Sequence, residues 1–170
     1  ARAHLEFLRS SGAIPREVEV RYLDAAQRLL DRIAPLFAGA ATQRLHGDLH
    51  RMNLLWRPGE GFHAIDFDDM VTGPAIQDLW MLLPDRLPAA RAEFELLLEG
   101  YGVFAEYDDA QTRLVEPLRA MRYLHYAAWC ARQKADGGRG LLGDEWGTAD
   151  FWRRELADLQ RQAQDIEELA

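Results

Sequence analysis

The chain has 170 residues, enough for one domain with a hydrophobic core. Its 28 acidic and 20 basic residues give a net charge of -8, which argues against a protein that binds nucleic acid or an anionic membrane surface. A single cysteine excludes an internal disulfide, and no apolar run reaches the roughly 20 residues that span a bilayer, so we expect a cytoplasmic protein without membrane contact.

Helical patterns begin and end the chain. A short helix is predicted at 2–10, and apolar residues recur with a period near 3.6 over 16–37. The later helices are predicted at 75–83, 88–105, 111–134 and 148–168, with a flexible glycine-rich connection at 136–140. Within the third of these, a stripe at helical spacing predicts a buried face: Leu114, Leu118, Met121, Leu124, Tyr126, Trp129 and Cys130.

Between the first and the later helices the pattern changes to short strands. Segments 44–46 and 53–56 flank a polar loop, and a turn at 57–61 leads to a further strand at 62–65. A hairpin built from these strands brings Asn53 and Asp66 to the same end. The predicted fold class is therefore α+β, predominantly α-helical, with one small β-hairpin region that carries the polar loop.

The polar loop combines residue types that phosphoryl transfer requires. It reads His46-Gly47-Asp48-Leu49-His50-Arg51-Met52-Asn53, and Asp66-Phe67-Asp68-Asp69 follows the hairpin. In kinase catalytic loops an aspartate accepts the proton of the substrate hydroxyl, while an asparagine and a second aspartate hold Mg²⁺. The spacing predicts that Asp48 is the base and that Asn53 and Asp66 are the metal ligands.

Four neighbouring residues are candidates for supporting roles. His50 could approach the transferred phosphate, and Asp68 could reach a second metal ion or order its loop. His46 is expected to pack beneath the loop and fix its backbone. Asp78, on the first helix after the motif, could accept hydrogen bonds from backbone amides of the loop, and a solvated helix residue is the alternative.

The runs LHGDLHRMNLLW, AIDFDDMVTGPAIQDLWMLLP and LVEPLRAMRYLHYAAW resemble the bacterial stress response kinase A family. That family lies in the aminoglycoside phosphotransferase/choline kinase group, which has a protein-kinase-like fold. The resemblance covers nearly the whole chain but only the carboxy-terminal lobe. It implies an ATP- and Mg²⁺-dependent kinase that phosphorylates protein serine and threonine hydroxyls. By resemblance Asp48 is the proton acceptor, Asn53 and Asp66 bind Mg²⁺, and Asp78 braces the loop.

The resemblance also implies an amino-terminal lobe with a glycine-rich cover for the ATP phosphates and a phosphate-binding lysine. No such pattern precedes residue 40. We therefore expect 1–170 to be a single domain, the catalytic lobe without its ATP-cradling partner, and to be inactive alone. The full-length protein is expected to be a monomer. Apolar surface near 1–15 and 40–66 would let the isolated lobe self-associate.

Three alternatives remain open at the level of sequence. The same loop would serve a small-molecule kinase with an aminoglycoside, choline or homoserine acceptor. A metal hydrolase is suggested by Gly47-Asp48-Leu49-His50, although such enzymes need further histidine and aspartate blocks. The third alternative is a non-catalytic lobe that acts as a binding module.

Overall fold

The computed structural model describes residues 1–137, 143 and 145–168. The helices are α1 (Arg2–Ser11), α2 (Arg16–Ile33), α3 (Ile76–Trp80), α4 (Arg91–Gly102), α5 (Val115–Ala135) and α6 (Ala149–Glu168). The strands are β1 (Gln43–Leu45), β2 (Leu54–Arg57), β3 (Gly61–Ala64) and β4 (Val71–Gly73). Short 3-10 helices lie at Ala34–Phe37, Arg51–Asn53, Phe67–Asp69 and Asp109–Leu114. The fold is thus mostly helical with small antiparallel sheets, which confirms the coarse part of the predicted class.

Each predicted helix has a counterpart, although the ends differ. The helix predicted at 75–83 is only five residues long, and the one predicted at 88–105 begins at Arg91 and ends at Gly102. The glycine-rich connection predicted at 136–140 extends outside the described residues. Among the helices described, none combines the length and the apolar character needed to cross a membrane.

The chain divides into two compact units, Ala1–Ala38 with Glu116–Ala170, and Gly39–Val115. The first unit is helical, and α2 packs against α6 in its core. Tyr22 and Trp152 meet there edge to face, with their ring centroids 5.0 Å apart. Both side chains are fully buried. The expectation of a single domain over 1–170 stays a prediction.

The buried face of α5 differs from the predicted stripe. Leu118, Leu124 and Cys130 are buried as expected, but Tyr126 is 49% exposed and Trp129 is 37% exposed. These two rings stack on each other instead, with centroids 6.1 Å apart. The core face is completed by small residues that the prediction passed over: Ala120, Ala127, Ala128 and Ala131.

The second unit holds two antiparallel strand pairs. The predicted hairpin is present as β2 with β3, in a register that sets Leu54 opposite Ala64. A second pair, β1 with β4, sets Leu45 opposite Val71. The prediction of one hairpin was therefore incomplete. Strands of three residues are too short to show a period of two, so β4 gave no signal in the sequence.

Candidate active site

The polar loop connects strands that belong to different sheets. It leaves β1 after the buried Leu45, passes through the short helix Arg51–Asn53 and enters β2 at Leu54. Its partner segment, 65–70, leaves β3 and enters β4. Because β1 pairs with β4 and β2 pairs with β3, both connections run between the same two sheets. The topology alone thus brings the loop and the Asp66 segment side by side.

Helix α3 holds the backbone at the start of the loop. The Asp78 carboxylate accepts hydrogen bonds from the backbone N–H of His46 at 2.8 Å and of Gly47 at 3.0 Å. The neighbouring Gln77 donates its side-chain amide to the Gly47 carbonyl at 3.0 Å. Asp78 therefore accepts hydrogen bonds from backbone amides of the loop, and the alternative of a solvated helix residue does not hold. Its effect on activity stays a prediction.

His46 lies under the loop, 7% exposed. Its Nε2 is 2.8 Å from the Ile65 carbonyl, which can only accept, so Nε2 donates the hydrogen. The imidazole also packs on the Phe67 ring, with centroids 4.8 Å apart. His46 thus contacts the residues on both sides of Asp66.

Asn53 connects the candidate base to the candidate metal segment. Its side-chain Nδ2 donates to the Asp48 carbonyl at 2.9 Å, and its own backbone carbonyl accepts from the Ile65 N–H at 3.0 Å. Asn53 is 7% exposed. Because Nδ2 faces Asp48, the side-chain oxygen Oδ1 is left as the acceptor for another group. The residues predicted for the site are therefore neighbours in space.

Asp66 has an unusual backbone conformation. Its φ of 65° and ψ of 67° lie in the left-handed region, and it is the one non-glycine residue with positive φ in the described ranges. Aspartate tolerates this region better than most residues, but the conformation still costs of order 1–3 kcal/mol. The side chain is exposed. Such an outlier at the end of a hairpin is typical of a functional position.

The two accessory candidates differ in their surroundings. His50 Nε2 lies 3.5 Å from the Asp48 carboxylate, so it is next to the candidate base. Asp68 lies in the exposed 3-10 helix Phe67–Asp69. In the described part of the chain, no hydrogen bond or ion pair is seen between Asp68 and the polar loop.

The oxygen donors fit a magnesium ion in a site completed by substrate. Asn53 Oδ1 and the Asp66 carboxylate are hard ligands, and Mg²⁺ commonly takes only one or two protein ligands beside phosphates and water. The orientation of Asn53, fixed through its Nδ2, is the observation that favours this fit. No group of three or more His, Cys, Asp or Glu side chains forms a metal site in the described residues.

Sequence reasoning missed three contributors to this arrangement. Gln77 bonds the loop, the Ile65 backbone ties both His46 and Asn53, and the Phe67 ring packs on His46. Gln77 is an ordinary polar residue of a short helix, and a backbone carbonyl has no sequence signature. Phe67 was visible only as the middle residue of Asp66-Phe67-Asp68.

Comparisons with known proteins identify the family of the chain. Residues 2–115 match the phosphotransferase enzyme family. Over 161 residues, 91% of the chain, the sequence is 40% identical to stress response kinase A of Escherichia coli strain K12 and 38% identical to serine/threonine protein kinase RdoA of Salmonella typhimurium strain LT2. The resemblance to the stress response kinase A family is thereby confirmed. The chain spans 47% of the length of these relatives.

Proposed function

Because the chain belongs to the phosphotransferase enzyme family, we propose that it carries the base and metal half of an ATP-dependent kinase site. In this proposal it is the carboxy-terminal lobe of a protein-kinase-like fold, and the γ-phosphate of ATP passes to a serine or threonine hydroxyl of a protein. The relatives that carry the names stress response kinase A and serine/threonine protein kinase support this acceptor class. A cytoplasmic location is part of the proposal, since ATP is the donor.

The observation that carries the proposal is the hydrogen bond from Asn53 Nδ2 to the Asp48 carbonyl. It ties the residue that would bind metal to the residue that would take the proton. The backbone bond between Ile65 and Asn53 adds the segment that begins at Asp66. Catalysis of phosphoryl transfer depends mainly on such fixed positions and on charge stabilisation, since little covalent chemistry is asked of the protein.

The reaction assigns a separate task to each side chain. Asp48 accepts a hydrogen bond from the acceptor hydroxyl and orients its oxygen in line with the γ-phosphorus. It takes the hydroxyl proton as the new P–O bond forms and the bond from the γ-phosphorus to the bridging oxygen breaks, so that ADP leaves with that oxygen. His50, whose Nε2 lies 3.5 Å from the Asp48 carboxylate, would contact the transferred group in this proposal. Asn53 and Asp66 would hold Mg²⁺, which when bound neutralises charge on the ATP phosphates.

The acceptor class decides between the leading proposal and its alternative. The full-length protein that contains this chain is incubated with γ-labelled ATP, a panel of generic proteins and a panel of amino-alcohols and aminoglycosides. We expect label on protein serine or threonine. Label confined to small molecules would replace the protein-kinase proposal by the small-molecule kinase, within the same family.

The base is tested by Asp48→Asn, which preserves the size of the side chain but removes its basicity. We expect kcat to fall by about 10²- to 10⁴-fold, the usual contribution of a general base. Asp24→Asn, at an exposed position of α2, is the matched control and should retain full activity. An unchanged rate in Asp48→Asn would show that Asp48 is not the base, whereas an unchanged cellular phenotype in Asp48→Asn would favour the non-catalytic binding module.

A further inference from the structure

We propose that Gln77 is a positioning residue for phosphoryl transfer. In this inference it fixes the peptide group between Gly47 and Asp48 and thereby sets the direction of the Asp48 side chain. The inference rests on the proposed function, because it assigns Gln77 a role in the action of the same base. It concerns a residue that touches neither the substrate nor the metal position.

Four successive peptide groups around Asp48 are each held by a side chain. Asp78 accepts from the N–H of His46 and the N–H of Gly47, and so holds the first two groups. Gln77 Nε2 donates to the Gly47 carbonyl at 3.0 Å and holds the third. Asn53 Nδ2 donates to the Asp48 carbonyl at 2.9 Å and holds the fourth. The Asp48 side chain branches from the backbone between the third and the fourth of these groups.

The third peptide group is the one that local sterics constrain least. Gly47 has a φ of +87°, a region that glycine enters freely, and without a Cβ its ψ is also weakly restricted. Rotation of this peptide would turn the adjacent Cα–Cβ bond of Asp48 and move its carboxylate. A hydrogen bond to the Gly47 carbonyl opposes that rotation, and Gln77 supplies it.

The orientation of Gln77 is itself fixed. The Trp80 indole N–H donates to Gln77 Oε1 at 3.3 Å, which identifies the oxygen end of the amide and directs Nε2 toward the loop. Nε2 also lies 3.1 Å from the Met81 sulfur, a weak acceptor. Trp80 is 7% exposed. The buried Trp80 indole thus orients the Gln77 amide, and the Gln77 amide in turn binds the loop. A side chain supported in this way can pre-organise a catalytic group.

Two substitutions in the full-length protein test this role. Gln77→Glu has the same shape and can still accept from Trp80, but its carboxylate cannot donate to the Gly47 carbonyl. Gln77→Met has a similar length and no donor. We expect kcat to fall by about 10- to 100-fold in both variants, because a reacting group misplaced by up to an ångström causes a loss of this size. The KM for ATP should change less than about twofold. Gln160→Glu, exposed on α6, is the matched control and should leave both constants unchanged.

A double-mutant cycle separates positioning from general support of the fold. If Gln77 acts through Asp48, then Gln77→Glu should cost almost nothing further in protein that already carries Asp48→Asn, because the two residues act as a unit. Thermal unfolding checks that the variants fold. If one of the two Gln77 variants does not fold, the other one still decides the question.

Three results would overturn the inference. The first is a kcat within twofold of the unmodified protein in a folded Gln77 variant. The second is a raised KM with unchanged kcat, and the third is a full multiplicative loss in the Asp48→Asn background. If the unmodified protein itself transfers no phosphate from ATP, the proposed function fails and the inference fails with it. The two kinds of failure can be told apart. The proposed function fails when the unmodified protein is inactive, whereas each of the three results above is measured against an unmodified protein that is active.

Discussion

Gly47 packs closely against the segment that follows Asp66. A Cβ added at Gly47 would lie 2.2 Å from the Asp69 carbonyl oxygen and 3.2 Å from Val71 Cγ1. Its φ of +87° also disfavours any residue with a side chain. Gly47 therefore limits the distance between the polar loop and the segment that follows Asp66.

The first prediction concerns Gly47→Ala. Since the backbone of Asp69 cannot yield like a flexible side chain, the two segments must separate. We expect the thermal midpoint to fall by about 5–10 °C, and kcat to fall about 100-fold. The control is Gly100→Ala in α4, where a Cβ meets nothing within 4 Å and alanine favours the helix. Equal activity and stability of Gly47→Ala and the unmodified protein would contradict this account of the site.

A second residue-level prediction concerns the metal ligands. Asp66→Asn preserves a residue that tolerates the left-handed region and removes only the negative charge. We expect the Mg²⁺ concentration for half-maximal activity to rise at least about tenfold, and the affinity for Mn²⁺ in the presence of ATP, measured by electron paramagnetic resonance, to fall in parallel. Asp24→Asn serves again as the control. An unchanged Mn²⁺ affinity would remove Asp66 from the metal site.

At the same scale, sequence reasoning selected candidates for the chemistry more readily than the residues that hold those candidates in place. Asp48, Asn53 and Asp66 were selected because their types and spacing are restricted by phosphoryl transfer, and the structure makes them neighbours. Gln77 escaped notice because its task depends on which carbonyl its amide meets. That meeting is set by the pairing of β1 with β4, a contact between distant residues that no local pattern encodes.

At the scale of elements, the helices were predicted from periodicity and their buried faces only in part. In α6, Trp152, Leu156 and Leu159 are buried at helical spacing, as an amphipathic pattern requires. In α5 the buried face includes several alanines, so the search for large apolar residues chose Tyr126 and Trp129, which are exposed. Small side chains allow helices to approach closely, and a pattern of large residues does not reveal that.

The third prediction belongs to α6. Burial raises the pKa of Glu155 to about 7 from 4.5, with a contribution from Asp158, while Arg154 lowers it. Folded protein thus binds the proton more tightly than unfolded protein between pH 4.5 and 7, and the free energy of unfolding falls as the pH rises through this range. Above about pH 7 both states are ionised and this effect is constant.

Glu155→Gln should remove this pH dependence, because glutamine does not ionise. Denaturant unfolding at pH 5 and pH 8 should show that the loss of stability over this interval is smaller in the variant by about 2 kcal/mol. Glu99→Gln, at an exposed position of α4, is the control and should follow the unmodified protein. Parallel pH profiles for Glu155→Gln and the unmodified protein would show that Glu155 ionises normally.

At the scale of the whole chain, strands and a lysine are the features that hold the ATP phosphates in kinases. Before Gln43 the described residues form helices and connections and no strand. The sequence contains a single lysine, Lys134, and its ammonium group lies 5.2 Å from the Trp146 ring centroid, near the end of α5.

The last prediction follows from the share of its relatives' length that the chain spans, which is 47%. We propose that the elements that cover the ATP phosphates are supplied by polypeptide outside these 170 residues. The chain alone should then bind ATP with a dissociation constant above about 1 mM, since the metal and base groups contact only part of the nucleotide.

Isothermal titration with ATP and Mg²⁺ measures this affinity for the chain alone and for the same chain extended by whatever its gene encodes upstream. The extended protein should bind at least about 100-fold more tightly, a difference of about 2.7 kcal/mol. Equal affinities would show that Ala1–Ala170 contains the whole nucleotide site.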